Sequence, residues 1–226
     1  MARPSLTTLM GLNAGLVDTA GFLALHGLFT AHVTGNFVTI GSSLVLGTSG
    51  IVAKLLALPV FCLVIVVTRM ASFSLPGLGL PILRTMLAMQ LLLLILGAAL
   101  AIYFGPFPEG DTLPAIVTGM VLVSAMAIQN AAHRIHLGSA PPTTIMTGTT
   151  TQIMIDIGDL LVGGGPSESK AAAHVRLRRM SASVILFAVG CAIGAFLYAQ
   201  FNVWCFIVPP LIAAPLLFMQ EAKAAA

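Results

Sequence analysis

Apolar residues run through this chain with few breaks. Six stretches, at about 7–28, 51–68, 82–104, 113–134, 180–200 and 202–219, have the length of about 20 residues that a helix needs to cross a bilayer. Two further segments, at about 33–47 and 144–162, break the pattern. Both open with Thr-Gly (Thr34-Gly35 and Thr147-Gly148) and carry polar residues that a lipid-facing helix would not. Helical spacing places Asn36, Thr39 and Ser43 on one stripe of the first, and Thr149, Gln152 and Asp156 on one stripe of the second, with Asp159 extending it. The pattern predicts an all-α, polytopic membrane bundle of about six spans with two short re-entrant half-helices.

Composition sharpens this reading. Hydrophobic residues make up 58% of the 226 positions and charged residues 8%, where a soluble domain carries roughly a quarter charged. Mean hydropathy is +1.04. No length is left for a separate soluble unit, so residues 1–226 are expected to form a single membrane domain. The first stretch exceeds the apolar core of a signal peptide and is interrupted by Asp18. Cys62, Cys191 and Cys205 are isolated in apolar runs, without the spacing of a metal site or a disulfide framework. Neither a cofactor nor a metal is expected. The net charge of +3 comes from few groups and forms no basic face for nucleic acid.

Charge placement chooses between re-entrant and crossing segments. With six spans, two re-entrant segments and a cytoplasmic N-terminus, nine of the ten Lys and Arg residues fall inside and only Lys54 outside; with both odd segments crossing, seven of ten do. The positive-inside rule favours the first arrangement and puts both termini in the cytoplasm.

The Thr-Gly pairs lie 113 residues apart, and each follows the first span of a three-span half, about 5–105 and 113–219. Halves with an odd number of spans have opposite orientations, so the expected architecture is an inverted 3+3 repeat, with a site near the midplane as in many transporters. Thr34 and Thr147 suit helix N-caps, Gly35 and Gly148 permit close approach, and free amides at two opposed helix starts attract an electron-rich group. Asp18, costly in mid-span at about 3 kcal/mol, is a functional candidate and the expected proton-coupling group. Gln129 and Asn130 occupy the corresponding region of the fourth span. The expected solute contacts are Asp18, Thr34, Gly35, Asn36, Gln129, Asn130, Thr147, Gly148, Thr149 and Gln152. Hydrogen bonding between helices is the alternative role for these polar residues. No arginine is expected near the centre. His26 and His32 are expected at the interface, while His133, Arg134, His136 and the run from Lys170 to Arg179 meet lipid head groups.

The run Gly15-Leu16-Val17-Asp18-Thr19-Ala20-Gly21-Phe22-Leu23-Ala24-Leu25 with Phe29, His32 and Thr34-Gly35-Asn36 resembles the N-terminal signature of the YoaK-like family of small bacterial membrane proteins. Gln129-Asn130-Ala131 and Met146-Thr147-Gly148 resemble its second signature. The resemblance covers nearly the whole chain. It implies a bacterial inner-membrane protein of about six spans and brings no catalytic assignment with it. The second signature usually reads Thr-Gly-Asn; here Thr149 replaces the amide.

Three functions fit the residues. A secondary transporter of a small polar or weakly acidic solute, coupled to protons through Asp18, accounts for the repeat, the paired helix starts and the mid-span carboxyl together. A passive channel is the alternative, and a structural or assembly role a further one. An enzyme is not expected: Asp156-Ile157-Gly158-Asp159 departs from the Gly-x-Gly-Asp of aspartyl membrane proteases at its first position, and no zinc-protease or nucleophile-elbow motif is present. The expected partners are the bilayer, the solute and protons. Gly190 and Gly194 provide a close-packing pair that would serve within the chain or in a homo-oligomer.

Overall fold

The computed structural model describes residues 5–74, 77, 79–144, 146–162 and 170–219, all in helices and loops. Arg3 and Lys223, which enter the orientation argument, lie outside them. The helices are α1 (Leu6–Ala24), α2 (Asn36–Leu46), α3 (Ile51–Ser74), α4 (Ile82–Phe104), α5 (Leu113–His136), α6 (Met146–Val162), α7 (Lys170–Phe201) and α8 (Val208–Ala213). Short 310 turns precede α2 at Val33–Gly35 and flank α8 at Asn202–Ile207 and Ala214–Phe218.

Four helical stretches among the described residues are long and apolar enough to cross a membrane: Ile51–Ser74, Ile82–Phe104, Leu113–His136 and Lys170–Phe218. The expectation of six differs for two reasons. Asn13, Asp18 and six threonine or glycine positions dilute the apolar character of α1, whose residues are mostly buried. The last two expected spans join into one helical path, bent where Asn202 adopts a positive φ of 49° and where Pro209, Pro210 and Pro215 remove backbone donors.

The polarity of the bundle is that of a membrane protein. Leu63, Val66, Val67, Met70 and Phe73 of α3, and Ile185, Val189 and Phe196 of α7, are exposed, whereas the interior is built largely of alanine and glycine. A soluble protein rarely leaves so large an apolar surface uncovered. α1 packs chiefly against α7, and α5 against α3 and α4. The α1–α7 contact depends on Gly15, Gly190 and Gly194: a methyl on Gly15 or Gly190 would collide with the carbonyls of Phe187 or Leu12, and one on Gly194 would stand 2.8 Å from the Leu16 oxygen. The Gly190/Gly194 pair is thus spent on closing α7 onto α1.

Two loops turn back beside the helices they leave. After α1 the chain turns at His26 and Gly27, both at positive φ, and returns along α1 until Thr30 and Ala31 bond Asp18. This is seven residues of α1 below Leu25, about 10 Å at 1.5 Å per residue. The 310 turn and α2 then carry the chain back: Ser49 Oγ lies 3.2 Å from His26 Nδ1, so segment 27–48 begins and ends at one place. With eleven residues, α2 is about 16 Å long, half the hydrocarbon thickness of about 30 Å. After α5 the chain turns back in the same way, until Thr144 bonds Asn130, seven residues below Leu137.

Asp111 fixes the end of the bundle where α3 begins. Its carboxylate accepts from the N–H groups of Gly50 (2.8 Å), Ile51 (3.2 Å) and Val52 (2.8 Å), capping α3 from the loop before α5. Desolvation would raise this carboxyl, but the backbone donors outweigh it and hold its pKa below the usual value of 3.8.

Candidate functional site

Asp18 is 4% exposed and is fully engaged. Its Oδ1 accepts from Thr30 N (2.7 Å), Ala31 N (2.7 Å) and Thr30 Oγ1 (3.2 Å), while Oδ2 lies 2.7 Å from His32 Nδ1. The carboxyl therefore satisfies backbone donors that a loop buried in a membrane bundle would otherwise leave orphaned. His32, expected at an interface, instead belongs to this cluster, its ring set edge-on to Phe187 with centroids 5.3 Å apart.

Asn36 completes the clamp. Its Oδ1 accepts from Phe29 N and its Nδ2 donates to Phe29 O, both at 2.9 Å, so the amide stands in for a strand neighbour of the returning loop. The N-cap expectation for the two threonines fails: Thr34 lies inside the 310 turn, where Gly35 N donates to His32 O, and Thr147 is already the second residue of α6. The chain enters α2 through a tight turn, which leaves Thr34 Oγ1 free of the capping role.

Gln129 and Asn130 have different duties. Gln129, fully buried, accepts from Gln90 of α4 and donates to Met10 O of α1 at 3.0 Å, tying three helices together. Asn130 Oδ1 accepts from Thr144 Oγ1 at 2.8 Å. Along α6, Thr149 and Asp156 face inward; Gln152 donates to Asp156 Oδ1 at 2.8 Å, and Arg176 of α7 grips both Asp156 oxygens at 2.8 and 2.9 Å. On α2 the corresponding inward residue, Ser43, accepts from Lys54 Nζ of α3 at 2.6 Å. Lys54 is 3% exposed. Each polar stripe therefore fastens a short helix to the long one after it.

Two cavities flank the segment 31–35. One, of about 550 Å³, touches Asp18, Phe22, Phe29, His32, Thr34, Gly35 and Phe187. The other, of about 500 Å³, is lined by His32, Thr34, Asn130, Thr144, Thr147, Phe61, Ile65, Arg69 and Arg134 among others. Of the expected contacts, the second cavity gathers Thr34, Asn130 and Thr147, and the first holds Asp18 and Gly35. Asn36, Gln129, Thr149 and Gln152 line neither, and the amides of Asn36, Gln129 and Gln152 bond neighbouring protein groups. Gly148 is exposed and also lines neither.

Two exposed arginines, Arg69 and Arg134, line the second cavity. Arg134 follows Asn130 by one helical turn, and Phe61, Ile65 and Arg69 recur every four residues on α3, so both charges share a face with residues of the cavity. That spacing was the signal. A wider basic groove of about 680 Å³, touching Arg134, Arg176 and Arg179, adjoins them.

The family model described as "Protein of unknown function (DUF1275)" matches residues 6–219. The UPF0700 transmembrane protein YoaK of Bacillus subtilis (strain 168) is 29% identical over 226 residues, covering 98% of this chain and 95% of that protein. No solved structure matches. With a match from the first turn of α1 to the end of the last 310 turn, the chain belongs to the DUF1275 family of YoaK-like transmembrane proteins.

Proposed function

We propose that this protein is a secondary transporter of a small polar or weakly acidic solute, with its site in the cavity of about 500 Å³ between residues 31–34 and Thr144, Met146 and Thr147. The observation that carries the reading is that Thr34 and Thr147, at the starts of α2 and α6, open onto this same space. A volume in that range suits a small metabolite. Helix starts facing a common cavity give it positively polarised amides, and Asn130 and Thr144 add neutral polar groups.

The proposed architecture is an inverted repeat with α2 and α6 as re-entrant half-helices. Its support is the offset of 113 residues that relates Asn36 to Thr149 and Ser43 to Asp156, each pair inward-facing. Pairing of α1 with α7 and of α5 with α3 also fits, since the same offset exchanges the members. In this reading the molecule moves its solute without converting it, resides in the bacterial inner membrane with cytoplasmic termini, and uses Asp18 with His32 to couple movement to protons.

Purified protein in proteoliposomes tests the reading. Saturable, proton-gradient-dependent uptake with counterflow is expected, and it should fall at least fivefold in Thr34→Val and Thr147→Val, whose exposed side chains contribute little to folding. Non-saturating flux indifferent to solute on the far side would make the protein a channel. No flux of any solute that the folded protein binds would remove the transport reading.

A further inference from the structure

We propose that the cavity takes a small organic monocarboxylate, its carboxylate held by Arg69 and Arg134 and its apolar body lying against Phe61 and Ile65. The inference rests on the transport reading and narrows its substrate class. Arg69 on α3 and Arg134 on α5 both line the cavity, no carboxylate among the described residues lines it with them, and the remaining wall beside them is largely apolar. Neither guanidinium is in an ion pair among the described residues; Arg69 instead rests over the Phe73 ring, 4.4 Å from its centroid.

Chemistry selects the ligand. Guanidinium groups present planar donor forks that match a carboxylate, and Arg69 and Arg134, both exposed and without an ion pair among the described residues, present two such forks to the cavity. A polyanion would set a second charge against Phe61, Ile65 and Ile135, beside which Thr34, Asn130, Thr144 and Thr147 offer only neutral groups. A neutral polyol would leave both charges unanswered. An anion with one head and a short apolar body answers both halves of the lining. The adjoining groove, with Arg134 and Arg179, extends the positive potential outward and raises the local anion concentration.

The test is thermal stabilisation of the detergent-purified full chain by butyrate and benzoate, each beside its amide, butyramide and benzamide. Carboxylates are expected to protect at concentrations at least tenfold lower than the amides. Arg69→Gln and Arg134→Gln should each raise the half-protecting benzoate concentration at least tenfold, while Arg178→Gln, away from the cavity, leaves it unchanged. Equal protection by acid and amide, an equal loss in all three variants, or no carboxylate protection of folded protein would overturn the inference. Protection by phosphatidylglycerol but by neither acid would assign the arginines to a lipid head group and also overturn it. The two readings fail separately: carboxylate binding without flux removes the transporter and keeps the site, whereas flux of a neutral solute by a protein blind to carboxylates does the reverse.

Discussion

The returning loop after α1 and the returning loop after α5 each turn back by seven residues of the helix they leave, held by different chemistry. In the first, one buried carboxyl gathers two backbone donors, a hydroxyl and an imidazole, and Asn36 then brackets Phe29 from both sides. In the second, the equivalent bond is a single neutral one from Thr144 to Asn130, supported by Gln129 on Thr143 at 3.3 Å and by Ser183 on Pro142 O at 2.9 Å. The short helices reverse the distribution: α2 is fastened by an ammonium on a neutral hydroxyl, and α6 by a forked guanidinium on a carboxylate. Charge thus lies at both ends of α2, in Asp18 and Lys54, and toward the far end of α6, in Asp156 and Arg176. The lesson is that two loops can turn back beside their helices by different side-chain chemistry, provided that each buried polar group finds a partner.

The largest effect expected from this contrast is at Asp18. Asp18→Ala orphans the Thr30 and Ala31 amides and should cost about 3–5 kcal/mol, against about 1 kcal/mol for Asn130→Ala, which frees one hydroxyl. Chemical denaturation of both variants in detergent measures the difference, and equal losses would break the comparison. Next, Arg176→Gln leaves the Asp156 carboxylate buried with weaker partners and should cost about 3 kcal/mol. Lys54→Met, in contrast, exchanges a buried amine on one hydroxyl for an apolar side chain of similar length, a change of less than about 1 kcal/mol. If Lys54→Met is the costlier, α2 is held by charge as well.

Asn36→Ala should cost about 1–2 kcal/mol through the unpaired Phe29 amide; hydrogen exchange at Phe29 would rise first, with α6 unaffected. The smallest effect belongs to Asp111. Its folded pKa lies below 3.8, so its contribution is present above that value and is lost as pH falls through the lower, folded one. Melting profiles of the parent and of Asp111→Asn should therefore converge as pH drops below about 4, with the parent the more stable at pH 6. Constant separation down to pH 3 would remove the capping carboxylate from the account.

Much of the architecture was legible because it follows from local periodicity. The expected stretches at 82–104 and 113–134 fall on α4 and α5, and the two anomalous Thr-Gly segments are separate short helices. Asp18 stood out by its cost alone. Its partners did not: His32 is fourteen residues away, and its place depends on a loop that turns back along α1. The functional weight given to Asn36, Gln129, Thr149 and Gln152 came from polarity, which cannot distinguish an amide facing a cavity from one facing a neighbouring backbone. Arg69 was read as a flanking charge because hydropathy ends a span at its first cation, whereas α3 continues to Ser74 and carries that arginine onto the cavity face.

By itself the sequence determined that the chain is helical and membrane-embedded, and that two Thr-Gly segments interrupt its spans, because an apolar solvent admits few backbone solutions and each leaves its mark on composition. Only the tertiary structure decided which polar groups were spent on the scaffold and which were left facing space. That outcome depends on pairs brought together from distant parts of the chain: Gln129 with Gln90, Asp156 with Arg176, and Thr34 with Thr147 across one cavity.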